Sequence, residues 1–275
     1  MPELPETETI ARDLDRALTG ATIVGVKVRR ADVLRGVTSR TLARRATGAT
    51  IVRSWRRAKA VVLELDSGDR LVVQPRFTGA LLVDDGNLPE RERKFVTLSF
   101  ALSDGRSLVY RDIRRLGTVA LMSPAAFESF DSNLGVEPLD QLFTAAHLSG
   151  ILRDSRQAVK KLLMDQRRLA GVGNIYANEA LWRAGIDPSR AGRTITAAEA
   201  ASLREGLVGV LRESIDARGT SFRDYRDASG ARGAFASQLA VYGRGGERCP
   251  RCDAILIDTS TIDGRTTVFC ARCQR

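Results

Sequence analysis

The sequence predicts an α+β multidomain chain: an N-terminal β-sandwich carrying one helix, then a helical domain, then a cysteine-bearing β-hairpin. Three observations lead there. From residue 21 to about 122 short apolar runs alternate with turns, as in ATIVGVKVRR, AVVLELDSGDRLVVQ and FVTLSFALSDGRSLVYRD, the pattern of half-buried strands. After SPAAFESFDSNLGVEPLDQLF the apolar residues recur every three or four positions, which is a helical period. All four cysteines fall in the last 27 residues, as two CxxC pairs. The expected divisions are 1–130, 131–240 and 241–275, with Pro124, Gly135 and Pro138 punctuating the first boundary.

The opening MPELPETETIARDL predicts a helix over 5–18. Pro5 suits the first helical position, Glu6 and Glu8 suit the positive end of the dipole, and Ile10, Leu14 and Leu18 share a face. Pro2 and Glu3 lie before this helix and are expected to contribute little to it. They belong to an acidic stretch, five acids against two arginines in residues 1–20, at the tip of a chain whose net charge is +10. Downstream, Asp66-Ser67-Gly68-Asp69 and Ser103-Asp104-Gly105-Arg106 separate β-rich runs and are expected as hairpin turns. Helices are expected over 140–148, 155–164, 174–184 and 197–216, the last capped by Thr196. Residues 217–240, rich in Gly, Ser and Arg, read as a mobile loop that either closes over a ligand or joins two elements.

Charge narrows the partner. With 43 Lys+Arg against 33 Asp+Glu and a pI near 10.1, the chain suits a polyanion. RSWRRAK at 53–59 holds four cations and no acid, and residues 151–170 net +4. A single basic cluster is commonly a solvated face, whereas several separate ones favour nucleic acid. His147 is the only histidine, which excludes a serine or cysteine triad and a histidine-rich metal centre; it reads as structural. No run approaches the ~18 apolar residues of a membrane span, and no basic region followed by an apolar stretch opens the chain. A cytosolic protein with reduced thiols is therefore expected.

Cys249-Pro-Arg-Cys252 and Cys270-Ala-Arg-Cys273 are separated by seventeen residues. Each pair places two thiolates on one tight turn, and two such turns complete a tetrahedral Zn²⁺ site. Two disulfides are the alternative, disfavoured by the expected compartment. The intervening ILIDTSTIDGRTTVF reads as two strands around Asp263-Gly264, so a closed, structural zinc site would hold a hairpin that presents Arg265.

Three separated motifs then meet: PELPETE at the start, VKKLLMDQRRLAGVGNIYANEALWRAGIDP at 159–188, and the zinc hairpin with GRTTVFC. Together they resemble the formamidopyrimidine-DNA glycosylase/endonuclease VIII family from end to end, and PELPE resembles its formamidopyrimidine branch. The resemblance implies a β-sandwich, a helix-two-turn-helix domain and a zinc finger, acting as a monomer on double-stranded damaged DNA held in the cleft between. It implies that methionine is removed and that Pro2 becomes the nucleophile, forming a Schiff base at C1′ followed by β- and δ-elimination. Glu3 would move protons, Glu6 would support the site, and Lys59 would approach the phosphate beside the lesion. Lys160, Asn174 and Arg265 would grip the backbone, and residues 221–235 would cover the flipped base. Members fill the vacated stack with a Met, an Arg and a Phe. Here those positions are Phe77, Arg114 and Leu116, with Arg115 between the last two. Gln74, Pro75, Arg76 and Ile113 are also unusual, and Ala60 replaces a bulky residue. These departures leave three readings open: an enzyme for oxidised purines, one for oxidised pyrimidines or other lesions, and a non-catalytic binder of damaged DNA.

Overall fold

The first half of the chain folds as its alternating pattern requires. The computed structural model describes residues 2–222 and 224–275. Helix α1 (Leu4–Leu18) leads into β1 (Ile23–Val28), helix α2 (Ser39–Ala46), β2 (Ile51–Arg57), β3 (Ala60–Leu65), β4 (Arg70–Gln74) and β5 (Gly79–Asp84). A short helix α3 (Glu90–Arg93), β6 (Val96–Leu102), β7 (Ser107–Asp112), β8 (Thr118–Met122) and helix α4 (Pro124–Ser132) follow. The strands form two antiparallel four-stranded sheets, ordered β2-β3-β4-β8 and β1-β6-β7-β5. Val61, Leu63, Leu71 and Val119 from one sheet and Leu81, Leu98, Phe100 and Leu108 from the other share one buried core. The structure is a β-sandwich. The two expected hairpin turns join β3 to β4 and β6 to β7, with Gly68 at φ +82° and Gly105 at φ +87°.

Helix α1 buries Ile10, Leu14 and Leu18 in this core and packs against β2, β3 and β5. Its start corrects the expectation for Glu3, which is the N-cap residue. Glu3 and Glu6 form a reciprocal capping box, with the Glu3 N–H donating to Glu6 Oε2 at 2.8 Å. Helices α2 and α4 escaped the sequence reading because the sheets, rather than a long period, stabilise them. Phe127 and Phe130 of α4 join Trp55 and Met122 around buried Ala60, Val62 and Val72 on the outer face of the first sheet. The aromatic groups there fill the space that Ala60 leaves, and Arg53 and Arg70 stack on Trp55 and Phe127.

The second half is helical: α5 (Ala145–Leu152), α6 (Val159–Leu163), α7 (Asn174–Ala184) and α8 (Ala197–Asp216), followed by strands β9 (Ile257–Thr259) and β10 (Thr267–Phe269) paired antiparallel. The last two helices have the expected spans. The first two are displaced and shorter, because local polar side chains compete with the helix. Asp140 accepts the Leu142 N–H, Thr144 instead caps α5 by accepting the His147 N–H, and Ser155 accepts the Gln157 N–H. His147 thus sits in the first turn of α5, its ring edge-on to Phe143.

The chain divides into two compact units. One comprises Met1–Ser132 with Ile215–Ala236, the other Asn133–Ser214 with Ser237–Arg275. The segment that composition marks as a loop therefore packs with the sandwich as far as Ala236, while 237–240 belong to the second unit, and its described residues are tied at many points. Thr220 bridges Ala234, and Val83 donates to the Ala228 carbonyl. Buried Asp227 accepts from the Ser229 and Ala231 N–H groups and from Arg218, which also reaches Asp13.

In the second unit, Thr196 and Glu199 cap α8 reciprocally, at 3.2 and 2.8 Å. The Arg190 guanidinium and the Thr196 donors hold the Glu199 carboxyl down to about 2. A depressed carboxyl stabilises the fold above its unfolded value of about 4.3, and that contribution is lost as pH falls toward 2. Thr196→Ala should cost about 1 kcal/mol. Glu199→Gln should flatten the loss of α8 amide protection between pH 4.5 and 2, measured by hydrogen exchange.

Candidate active site and nucleic-acid interface

The N-terminal tip is built into the sandwich unit. Pro2 and Glu3 are both buried. Below them, Glu6 divides its carboxylate: Oε2 accepts the Glu3 N–H and Oε1 accepts the Thr220 N–H, each at 2.8 Å. Gly219, at φ +86°, permits this approach, since a Cβ there would press on Glu6 Cγ and the Tyr225 ring. The Tyr225 hydroxyl donates to the carbonyls of Glu6 and Arg218, and burial pushes its phenol well above the ordinary range. The start of α1 is thus fixed to the returning segment by main-chain donors on one side and a buried carboxylate on the other.

Half-buried Lys59 occupies the two-residue turn between β2 and β3, beside Ala58 at φ +52°. Arg56 secures this turn. Its nearly buried guanidinium donates to Glu8 Oε2 of α1 at 2.9 Å and to the Ala58 carbonyl at 3.1 Å. Glu8, read from sequence as a dipole partner only, therefore connects the first turns of α1 to the lysine hairpin.

A second feature of the same unit is a pair of adjoining loops, 75–78 and 113–117. Phe77, Ile113 and Leu116 are 48%, 42% and 41% exposed, unusual for large apolar groups on adjoining loops. The Arg114 guanidinium lies over the Phe77 ring at 5.3 Å. Arg115, at φ +53°, reaches Asp32 at 3.3 Å. Asp112, at the end of β7, is buried beneath both loops; no sequence motif pointed to it, although an acid ending an apolar strand run is a usable signal.

The second unit holds the other named residues. Lys160 on α6 is fully buried, its ammonium donating to Thr267 Oγ1 at 2.6 Å and lying 3.5 Å from Asp263 Oδ1. Asn174 Nδ2 donates to the Thr266 carbonyl at 2.9 Å. In this structure both side chains bind the hairpin, and Arg265 is exposed at its end. Two residues of α7 not singled out from sequence complete the attachment. Asn178 Oδ1 accepts the Val268 N–H, and buried Glu179 accepts the N–H groups of Ala240, Val241 and Tyr242. Polar residues on a helix face otherwise buried are the signal that could have found them.

The four cysteine sulfurs lie within 4.8 Å of one another. Cys249 faces Cys273 at 3.9 Å and Cys252 faces Cys270 at 3.4 Å. Tetrahedral Zn–S bonds of about 2.3 Å imply sulfurs about 3.8 Å apart, so the residues fit the ion. Burial pushes the Cys249 thiol up, but the N–H groups of Arg251 and Cys252 outweigh it and hold the group down to about 6. Such donors favour the thiolate that a metal requires.

Residues 1–119 match the formamidopyrimidine-DNA glycosylase N-terminal domain, 134–226 the H2TH domain of the same glycosylase, and 246–275 the zinc finger found in FPG and IleRS. The chain belongs to the formamidopyrimidine-DNA glycosylase family. A formamidopyrimidine-DNA glycosylase of Heliobacterium modesticaldum is 40% identical over 278 residues, covering all of both chains. A mutant Lactococcus lactis FPG bound to DNA containing Fapy-dG has the same fold, with a TM-score of 0.92 at 30% identity and full coverage of both chains. The wild-type L. lactis protein bound to DNA containing an oxidised pyrimidine gives 0.91 at 30%, again with full coverage. Within this family the four cysteines form the zinc finger, and a closed Cys₄ set gives the ion a structural task.

Cys270→Ser should release zinc and detach the hairpin, weakening damaged-DNA binding roughly tenfold, about 1.4 kcal/mol. Metal analysis with a binding titration checks this; undiminished affinity in a zinc-free variant would remove the finger from the interface.

Proposed function

We propose that the protein is a bifunctional DNA glycosylase and abasic-site lyase of base excision repair, acting on formamidopyrimidines and 8-oxoguanine in duplex DNA. The observation that carries this reading is the buried Pro2-Glu3 tip at the head of α1 in a chain of this family. A secondary amine at Pro2 lies beside the positive end of a helix and out of bulk water, two conditions that favour its neutral, nucleophilic form. A secondary amine also yields an iminium ion that keeps its positive charge without a proton on nitrogen, which the amide nitrogen of a proline inside the chain cannot form.

The steps follow from that electrophile. The Pro2 nitrogen forms a bond to C1′ while the glycosidic bond breaks and the base leaves with a proton; the amine then loses its own proton and the C1′–O4′ bond breaks as the ring oxygen takes one up, which leaves an open-chain iminium ion. The iminium cation acidifies C2′, loss of that proton expels the 3′ phosphate, and a second elimination expels the 5′ phosphate. Glu3 carries protons at the sugar ring oxygen or the departing base, held in place by the capping box. Lys59 approaches the adjacent phosphate, its hairpin steadied by Arg56. Arg114 faces the orphaned base and Arg115 lies next to the duplex. Arg265, presented by the zinc hairpin that Lys160 and Asn174 support, meets the backbone. The protein acts as a monomer in the bacterial cytosol, at the nucleoid, and its evolutionary modules divide near residues 130 and 240.

A second reading, a lesion range that takes in oxidised pyrimidines, is raised by the wild-type L. lactis FPG, which is seen on DNA with such a lesion as well as on DNA with an N7-benzyl-Fapy-dG. A panel of lesion duplexes decides between the two.

Retaining Met1, or Pro2→Gly, should reduce borohydride trapping on abasic DNA at least about a hundredfold while leaving binding largely intact. Full trapping by a chain shown by mass spectrometry to retain Met1 would sink the nucleophile assignment. Phe77 is the larger exposed wedge, and base–aromatic stacking contributes roughly 1–3 kcal/mol. Phe77→Ala should therefore reduce excision of a base lesion roughly tenfold, far more than cleavage of a preformed abasic site, with Leu116→Ala the milder change. A larger defect from Leu116→Ala would show that leucine is the main plug.

A further inference from the structure

We propose that Asp112 is a positioning residue that locks the 75–78 and 113–117 loops into a single wedge, so that extrusion of a base depends on this one buried carboxylate. The inference rests on the glycosylase reading above. Asp112 is 2% exposed, and its two oxygens serve both loops. Oδ1 accepts the Thr78 hydroxyl at 2.5 Å and the Arg114 N–H at 3.2 Å; Oδ2 accepts the Gly117 N–H at 2.8 Å and the Tyr110 hydroxyl at 3.2 Å. Thr78 Oγ1 in turn accepts the Arg114 N–H at 2.9 Å, so one hydroxyl stitches the first loop to the second. The Arg111 guanidinium, also buried, donates to the Thr78 carbonyl at 3.3 Å.

The loops also meet at backbone distance. A Cβ at Gly117 would strike the Tyr110 hydroxyl and the carbonyls of Gln74 and Pro75, and one at Gly79 would strike the Pro75 carbonyl and the same hydroxyl. Only glycine fits either place. Arg76 and Arg115, one in each loop, hold φ values of +51° and +53°, conformations that persist when surrounding contacts over-determine them. The result is a rigid mount for three exposed apolar side chains, Phe77, Ile113 and Leu116, with Arg114 stacked on the first. A wedge that must part stacked bases works only if it does not yield, since a mobile side chain pays its ordering cost at the moment of insertion. An acceptor-only group meeting four donors supplies that stiffness. Ile113 thereby becomes a third insertion group.

The test uses the full-length zinc-loaded protein with Asp112→Asn, which keeps the shape but replaces one acceptor by a donor, and Thr78→Val, which removes the bridging hydroxyl at constant size. Each is assayed on an 8-oxoguanine duplex and on a preformed abasic duplex, with 2-aminopurine fluorescence beside the lesion reporting unstacking. Excision of 8-oxoguanine should fall about tenfold and the fluorescence rise should slow in parallel, while abasic cleavage changes less than about twofold. The double variant should be no worse than the poorer single one, because both act in one network. Equal losses on the two substrates, or full excision by both variants, would overturn the inference. A wild-type protein that neither excises 8-oxoguanine nor cleaves the abasic site would instead overturn the glycosylase reading.

Discussion

The divided carboxylate of Glu6 is the interaction on which the first unit depends. One oxygen holds the N–H of Glu3 and the other the N–H of Thr220, residues more than two hundred positions apart in the chain. A buried carboxylate is costly without donors and stabilising with them. The geometry of the tip is therefore not separable from the returning segment. Asp227, Arg218 and Asp13 extend the same connection along α1, and Arg56 extends it from Glu8 to the Lys59 turn. A chain terminus is ordinarily the least ordered part of a domain. Here residues 2–6 are buried, and Glu3 and Glu6 are hydrogen-bonded.

The same device recurs at two further places. Asp112 gathers the donors of two loops, and Glu179 gathers the three N–H groups that lead into the zinc hairpin. In each case an acid in an apolar setting accepts from main-chain N–H groups that irregular backbone leaves without a ladder partner. These carboxylates explain how a basic protein keeps its irregular segments in fixed positions. The arginine ion pairs, by contrast, are mainly exposed or half-buried, as in Arg183–Glu213 and Arg53–Glu64, and such pairs contribute little individually to stability.

Zinc and α7 divide the work at the C-terminal end. The hairpin buries little beyond Val241, Leu256 and Val268 around its sulfurs, too small a core to fold alone. Metal holds its two turns together, and Lys160, Asn174 and Asn178 fix it to the helices. Burial of Lys160 makes its first partners protein groups, which is a positional effect that its motif does not reveal.

Much of this was legible in the sequence. Period and turn chemistry are local properties, so the alternating strands, the hairpins at Gly68 and Gly105, and helices α7 and α8 follow from neighbouring residues alone. The paired CxxC spacing identifies the zinc site because two tight turns and tetrahedral geometry leave few alternatives. Even the Pro2-Glu3 tip could be singled out by its motif. Tertiary structure decided the rest. Helices α2 and α4 are short and draw their stability from the sheets they cover. Glu3 is a cap and Glu8 a brace because of partners on other turns and strands. Residues 217–236 join the sandwich through Glu6, Asp13 and Val83, none of which their composition announces. The roles of Asp112 and Glu179 depend on which main-chain N–H groups converge around them. That convergence is a property of how the chain folds back on itself, to which local sequence is blind.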